Sequence, residues 1–359
     1  MIQATKTGKG SPKDDPDDSE NGSRRPSMRQ VAERAGVAMS TVSRVISDHP
    51  DVSPRMRRRV LLAVGELGYQ PDFLGQSLRR GATLSVGFAL SDISNPVIAQ
   101  MARGAEAVLR EAGYSMLVMN SEHDPSLDVA NVRFLHSRRV DGMILSVVSE
   151  RKKAALDALT QVGVPLVVID RELPRRIRAS VVLLDHRAGM AAAATHLLDL
   201  GHRRIGLVTW PLELRPGRER LAGLQDAYTA RGLSDTSMHV AGVMTMDQGE
   251  IAAGQLLDRP DAPTALIAGA NQLLIGCLRA MIKRGLRPGI DLAVVACDDL
   301  PLTELYAPPI SVVVRDNIGT GRVAAELLLR RLNGRDEPDT VILETKYVPR
   351  ASSCPPRAG

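Results

Sequence analysis

The segment Gln30–Ser47, QVAERAGVAMSTVSRVIS, carries a guanidinium and several hydroxyls at helical spacing, a set that can engage a polyanion. At about 100° per residue, Val42, Val45 and Ile46 fall on one face of its second half. Ser40, Arg44 and Ser47 fall nearly opposite, with Thr41 and Ser43 on the flanks. Val31 and Ala35 offer that apolar face a surface, and the small Ala32 and Ala35 allow close approach. A helix held this way, polar side outward, has the geometry needed to enter a DNA major groove. Arg44 can donate two hydrogen bonds to guanine O6 and N7. The Thr41 and Ser43 hydroxyls suit phosphate oxygens, which position a protein without specifying sequence.

A second polar set stands farther along the chain. From Leu84, apolar runs such as LSVGFAL, YSMLVMN, DGMILSVV and VPLVVID alternate with amphipathic helical stretches, and RIGLVTW, TALIAGA and LAVVACDD continue the pattern. Continuous apolar strands between helices predict parallel sheets covered on both faces. About eleven such units are too many for one comfortable sheet, so two doubly wound subdomains with a cleft between them are expected. Ligands bind such sheets beyond the carboxyl ends of the strands. The polar residues at those positions are Asp92, Asn95, Ser146, Asp170, Arg220, Asn271 and Asp298. An arginine at 220 can clamp a carboxylate or paired hydroxyls, and Asn271 and Asp298 can bond hydroxyls. Asp92, Asp170 and Asp298 fit helix caps equally well, and Arg215 and Arg218 suit either an anionic ligand or a solvated loop.

The elements that must position these groups begin with three short helices over residues 27–70. Ser27 and Gln30 form a capping-box pattern ahead of a helix from Met28 to Ala35, and Gly36 permits a sharp turn. A second helix covers about Met39 to Ser47. Ser53-Pro54 opens a third, in which Val60, Leu61, Val64 and Leu67 make an apolar stripe before Gly68. Residues 1–26 are polar and aperiodic, which predicts a disordered tail, and residues 71–82 form a connector long enough for two helical turns. Residues 27–80 hold nine arginines and five acids, whereas the 279 residues that follow hold 32 basic and 31 acidic side chains. The block reads either as a solvated basic helix face or as a polyanion-binding head on a neutral body.

Composition excludes several classes. Hydrophobic residues make up 44% and charged residues 24%, an ordinary globular balance. No apolar run reaches the roughly 20 residues of a bilayer span, and no h-region marks a secretory signal, so no membrane partner is expected. Three cysteines without paired spacing (Cys277, Cys297, Cys354) argue against a disulfide scaffold or zinc site and suit a reducing cytoplasm. Phosphate-loop, H-E-x-x-H and G-x-S-x-G patterns are absent. His196 and His202 are six apart and do not share a helix face. Neither a catalytic constellation nor a metal or cofactor is expected.

The pattern VAxxAGVxxxTVSRV over Val31–Val45 resembles the head of LacI/GalR-type transcriptional regulators, the lactose-repressor family. The likeness continues through DVSPRMRRRVLLAVGELGYQPD, DISNP, RRVDGMIL, LGHRRIGLV, RLAGL, IGCLRAMIKRGL, VVACDDL, YAPPIS and VPRASS, and so covers about residues 27–354. It implies an α plus α/β chain: a three-helix helix-turn-helix head (27–70), a hinge (71–82) and two doubly wound parallel-sheet subdomains of periplasmic-binding-protein type. The subdomain boundaries expected are 83–183 with 316–342, and 184–315 with 343–354. It places base reading on Met39, Ser40 and Arg44, further backbone contact on Arg55 and its neighbours Arg57, Arg58 and Arg59, and a minor-groove wedge on Leu78. It places effector contacts near all seven cleft residues. Ala38 stands where the family often has serine, so a cap or phosphate contact is missing. Asp72 and Gly75 depart from the usual asparagine and alanine, which weakens the hinge helix, and Arg79 and Arg80 offset this by phosphate contact. Val97 and Ile98 replace the aromatics common after the Asn-Pro turn, leaving Trp210 as the stacking face, and Gln272 stands where aspartate is common. The implied function is a cytoplasmic, dimeric repressor that reads a pseudo-palindromic operator and is gated by a sugar or sugar derivative. The alternatives are a solute-binding protein with a vestigial head and, disfavoured by the absent motifs, a sugar-modifying enzyme.

Overall fold

A computed structural model describes residues 26–70, 81–146, 149–242, 244–335 and 337–357, in two units, Met1–Gly81 and Ala82–Gly359. The expected tail and connector fall outside the described residues apart from Pro26, Gly81 and Ala82, so Leu78, Asp72, Gly75, Arg79 and Arg80 are not placed.

In the first unit, α1 (Met28–Ala35), α2 (Met39–Ile46) and α3 (Pro54–Leu67) close around Val31, Ala35, Val42, Val45, Val60 and Tyr69. The Ser27 side chain accepts from the Gln30 amide while the Gln30 side chain accepts from the Ser27 amide at 2.8 Å, completing the capping box. Gly36 takes φ 58°, the left-handed turn from which the chain enters α2. Ser53 caps α3, with Pro54 at its first position.

The second unit holds two six-stranded sheets. One joins β1 (Ser85–Leu90), β2 (Ser115–Asn120), β3 (Gly142–Leu145), β4 (Leu166–Ile169), β5 (Ala179–Leu184) and β11 (Thr340–Leu343) in the order 11-5-4-3-1-2, every pairing parallel. The other joins β6 (Ile205–Val208), β7 (Met238–Val240), β8 (Ala265–Ala268), β9 (Ala293–Cys297), β10 (Ser311–Val314) and β12 (Lys346–Val348) in the equivalent order 12-10-9-8-6-7. Only its β12 pairing is antiparallel. β3, β4, β6, β8 and β9 are buried at every position, as strands sandwiched between helices must be. Both sheets reverse their strand order beside the first strand, β1 or β6, which makes a crevice at its carboxyl end. The chain crosses between the sheets after β5, β10 and β11.

The helices are α4 (Pro96–Glu111), α5 (Pro125–Ser137), α6 (Lys153–Gln161), α7 (His186–Asp199), α8 (Arg215–Ala230), α9 (Met246–Leu257), α10 (Asn271–Lys283), α11 (Pro301–Leu305) and α12 (Asn317–Leu332). α4 and α12 pack backbone to backbone. A Cβ on Gly104 would come within 2.1 Å of the Ile318 carbonyl oxygen, and one on Gly321 within 1.9 Å of that of Met101. These contacts fix the helices that begin at Asn95 and just after Arg315. Gly104→Ala or Gly321→Ala is therefore expected to lower stability by about 2 kcal/mol through overpacking, measured by urea titration. Unchanged midpoints in both variants would show that the helices do not approach this closely.

Candidate functional site

On α2 the apolar positions Val42 and Val45 are buried, which turns Met39 (53% exposed), Ser40 and Arg44 to solvent. Thr41 and Ser43 are half-buried on the flanks. No described residue pairs with the Arg44 guanidinium. α2 begins without a side-chain cap because Ala38 occupies that position.

The α3 arginines divide. Arg59 donates from Nε to the Ala35 carbonyl at 2.7 Å and from Nη2 to the Gly36 carbonyl at 2.9 Å, closing the end of α1. Arg57 pairs with Asp48 and donates to the His49 carbonyl at 2.9 Å. Both hold the head together, so the expectation of DNA contact along Arg55–Arg59 is left to Arg55 and Arg58, which are exposed.

In the second unit, strand ends of both sheets meet around a narrow cleft. Asn95, Ser146, Asp170, Arg220, Asn271 and Asp298 line it, together with Arg171, Trp210, Arg315 and the aliphatic Val97 and Ile98. Asp92 stands outside the lining. Its Oδ1 accepts from Ser94 N at 2.8 Å and Ser94 Oγ at 2.7 Å, and its Oδ2 accepts from Gln272 Nε2 at 2.8 Å. Burial pulls the Asp92 carboxyl upward, but these bonds hold it below the usual carboxylate range. Asn95 caps α4 through Val97 N at 3.0 Å and accepts from Asn271 Nδ2 at 2.8 Å. Both the Asp92–Gln272 and the Asn95–Asn271 bonds join elements of the two sheets.

Asp170 sits at the end of β4 with φ 55°. Its Oδ2 lies 2.7 Å from His186 Nε2, its Oδ1 accepts from Arg215 Nη1 at 3.2 Å, and Arg315 stands 4.0 Å away. Burial opposes ionisation, but His186, Arg315 and Arg171 outweigh it and hold the carboxyl well below its ordinary range. Burial likewise pushes the His186 imidazole down to about 4, only partly countered by Asp170. Asp298, after β9, accepts from Arg315 Nε at 2.8 Å. None of Asp92, Asp170 or Asp298 caps a helix, so the capping alternative is set aside.

Two arginines stand over Trp210. Arg171 is 1% exposed, donates to the Asp170 carbonyl at 2.9 Å and lies 5.4 Å over the indole. Arg220, 3% exposed, lies 5.9 Å over the same ring. Its Nε and Nη1 have no partner among the described residues. Trp210, expected to stack on a ligand ring, lies in the lining with two guanidiniums over its ring. Arg220 is on the second turn of α8, a correction to its expected place at a strand end. Arg215 and Arg218 stand outside the lining, Arg215 buried and Arg218 half-buried. The Arg215 amide donates to Glu150 at 2.8 Å, and Arg218 Nη2 donates to Glu150 at 3.2 Å and Glu172 at 2.8 Å.

Arg171, Arg315, His186 and Glu150 were not expected in the site. Arg171, His186 and Arg315 each stand within two residues of a strand end, so the rule that selected Asp170 and Asp298 also points to them. Nothing local marks Glu150, which enters through a partner 65 residues away.

Comparison with known proteins fits both halves of this description. Residues 27–72 match the family model for bacterial regulatory proteins of the lacI family, and residues 194–353 match that for a periplasmic binding protein-like domain. The ribose operon repressor of Escherichia coli K12 is 31% identical over 306 residues, which span 85% of this chain and 92% of that repressor. This chain belongs to the LacI family. Among solved structures, the lac repressor dimer bound to operator and the anti-inducer ONPF superposes with a TM-score of 0.81 at 26% identity, covering 92% of this chain and 100% of that one. A transcriptional regulator CelR–cellobiose complex superposes with a TM-score of 0.68 at 31% identity, covering 91% and 100%. The LacI-family helix-turn-helix coincides with the exposed face of α2, and the periplasmic-binding-protein-like part contains the cleft's Arg220, Asn271 and Asp298. No helix among the described residues is long and apolar enough to cross a membrane.

In this LacI-family chain the Asp170–His186 pair predicts a pH signature. Folded His186 stays neutral down to about 4, whereas in the unfolded chain it takes up a proton near pH ~6.5. Between those values the unfolded state binds more protons, so stability falls as pH drops from about 6.5 towards 4. His186→Gln, which keeps a donor towards Asp170, is expected to flatten that slope in urea titrations at pH 7 and pH 5. An equal loss in both proteins would contradict a buried neutral imidazole.

Proposed function

We propose that this LacI-family regulator is a homodimeric repressor that binds a pseudo-palindromic operator through α2, with Met39, Ser40 and Arg44 reading bases. Thr41, Ser43 and Arg55 contact the backbone, and Leu78, outside the described residues, enters the minor groove from the hinge. Two heads related by a two-fold axis read two half-sites. The small-molecule effector, a sugar or sugar derivative, occupies the cleft and contacts Asn95, Ser146, Asp170, Arg220, Asn271 and Asp298, with Asp92 at its edge. The solved relatives support this reading: the lac repressor dimer is bound to operator, and the CelR complex holds cellobiose. Ligand binding selects one closure of the two sheets and thereby changes the connector's fit to DNA. The reading includes a cytoplasmic location and no catalysis.

The observation that carries the proposal is the exposed Arg44 guanidinium on a helix whose opposite face is buried. Fluorescence anisotropy on the protein's own promoter and a scrambled duplex tests it. Arg44→Ala is expected to weaken promoter binding by about 1–3 kcal/mol while leaving the scrambled duplex nearly unaffected. Affinity should fall steeply with salt for both duplexes. Equal affinity of the unaltered protein for both would remove the proposal.

A further inference from the structure

We propose that the effector is a hydroxylated molecule carrying an oxyanion, a carboxylate or a phosphate, and that Arg220 receives that group. This rests on the reading of the cleft as the effector site. Three guanidiniums, Arg171, Arg220 and Arg315, line the space against two carboxylates, Asp170 and Asp298. Both carboxylates are engaged: Asp170 by His186 and Arg215, Asp298 by Arg315. Arg171 interacts with Asp170 and with the buried Glu150 and Asp128. That leaves Arg220 as the lining cation with no carboxylate partner among the described residues. It is 3% exposed, and two of its nitrogens lack any acceptor.

A buried, unmatched guanidinium is costly, and the group that removes the cost is an anion with two acceptor oxygens. A neutral hydroxyl supplies an acceptor but no charge. Recognition by ring stacking has little support here, because Trp210 already carries Arg171 and Arg220 and the neighbouring Val97 and Ile98 are aliphatic. Asn95, Asn271 and Ser146 remain to bond hydroxyls, which makes a sugar acid or sugar phosphate the chemistry that uses the whole lining.

Isothermal titration of the full chain with gluconate, glucuronate, glucose 6-phosphate, inorganic phosphate and glucose tests this. At least one organic oxyanion is expected to bind about tenfold or more tightly than glucose. The carboxylate and phosphate arms identify the group, and inorganic phosphate alone reports whether the hydroxyls contribute. Arg220→Gln should erase the preference and Arg220→Lys should keep part of it. Without ligand, Arg220→Met should melt above the unaltered protein, because an unpaired buried charge has gone. Glucose binding as tightly as every oxyanion, no binding of any organic oxyanion, a preference that survives Arg220→Gln, or a lower melting temperature for ligand-free Arg220→Met would overturn the inference. Operator affinity measured with the same compounds separates the two readings. A neutral sugar that binds and alters operator affinity sinks only the anion, whereas an oxyanion that binds tightly without altering it sinks only the effector role.

Discussion

Buried charge has to be matched, and the body of this protein is arranged around that constraint. Asp170 ends β4 in one sheet, His186 and Arg215 begin helices that cover the other, and Arg315 stands on the crossover that returns the chain. One carboxylate therefore draws together elements from both sheets. Removing a partner from such a cluster strands a charge at a cost of about 3–5 kcal/mol, against about 1 kcal/mol for an ordinary hydrogen bond. The crossover side of the cleft is thus held by ion pairs as well as hydrogen bonds. The Asn95–Asn271 and Asp92–Gln272 bonds are the weaker contacts across it.

The head meets the opposite requirement, since one cation must stay unmatched and exposed. Its other arginines show how local geometry decides. Arg29 pairs with Glu33, Arg34 with Glu66 and Arg57 with Asp48, while Arg59 reaches the free carbonyls at the end of α1. Arg44, Arg55 and Arg58 are the arginines of the described head without an ion pair or a side-chain hydrogen bond there. The unpaired positive charge of the described head is thus concentrated in a few side chains on α2 and at the start of α3. That distribution suits a surface approaching phosphate better than a uniformly solvated helix face does.

The head and the alternating sheets were legible in the sequence because their signals are local. Ser27 with Gln30, Gly36, Ser53-Pro54 and Gly68 each punctuate a helix within a few residues, and the apolar runs mark β1, β3, β4, β6, β8 and β9 directly. The cleft was legible only as a set of strand ends. What those ends hold depends on pairings such as Asn95 with Asn271, 176 residues apart, or Arg215 with Asp170, 45 apart, and periodicity carries no information about such partners. That is why Asp170 and Asp298 could equally be read as caps, and why Arg215 and Arg218 drew attention that belonged to Arg171 and Arg315. Arg220 is the intermediate case. Its residue type and neighbourhood were readable, but its lack of a partner is a property of the packed structure.

These features combine into a switch of suitable strength. The cleft is held by the Asn95–Asn271 and Asp92–Gln272 bonds, together with the Asp170–Arg215 and Glu150–Arg218 ion pairs. It is opposed by enclosing Arg220 with Nε and Nη1 lacking a partner among the described residues. Enclosing the cleft thus sets an incompletely bonded buried cation against the bonds that join the sheets. A ligand can shift such an equilibrium only by its difference in affinity for the two arrangements. Groups from both sheets line the space, so their contacts coincide only when it closes, and a molecule that satisfies Arg220 while bonding Asn95 and Asn271 gains most in that state. The unmatched guanidinium is then a source of coupling: it keeps the empty cleft from closing firmly and rewards closure around the right occupant.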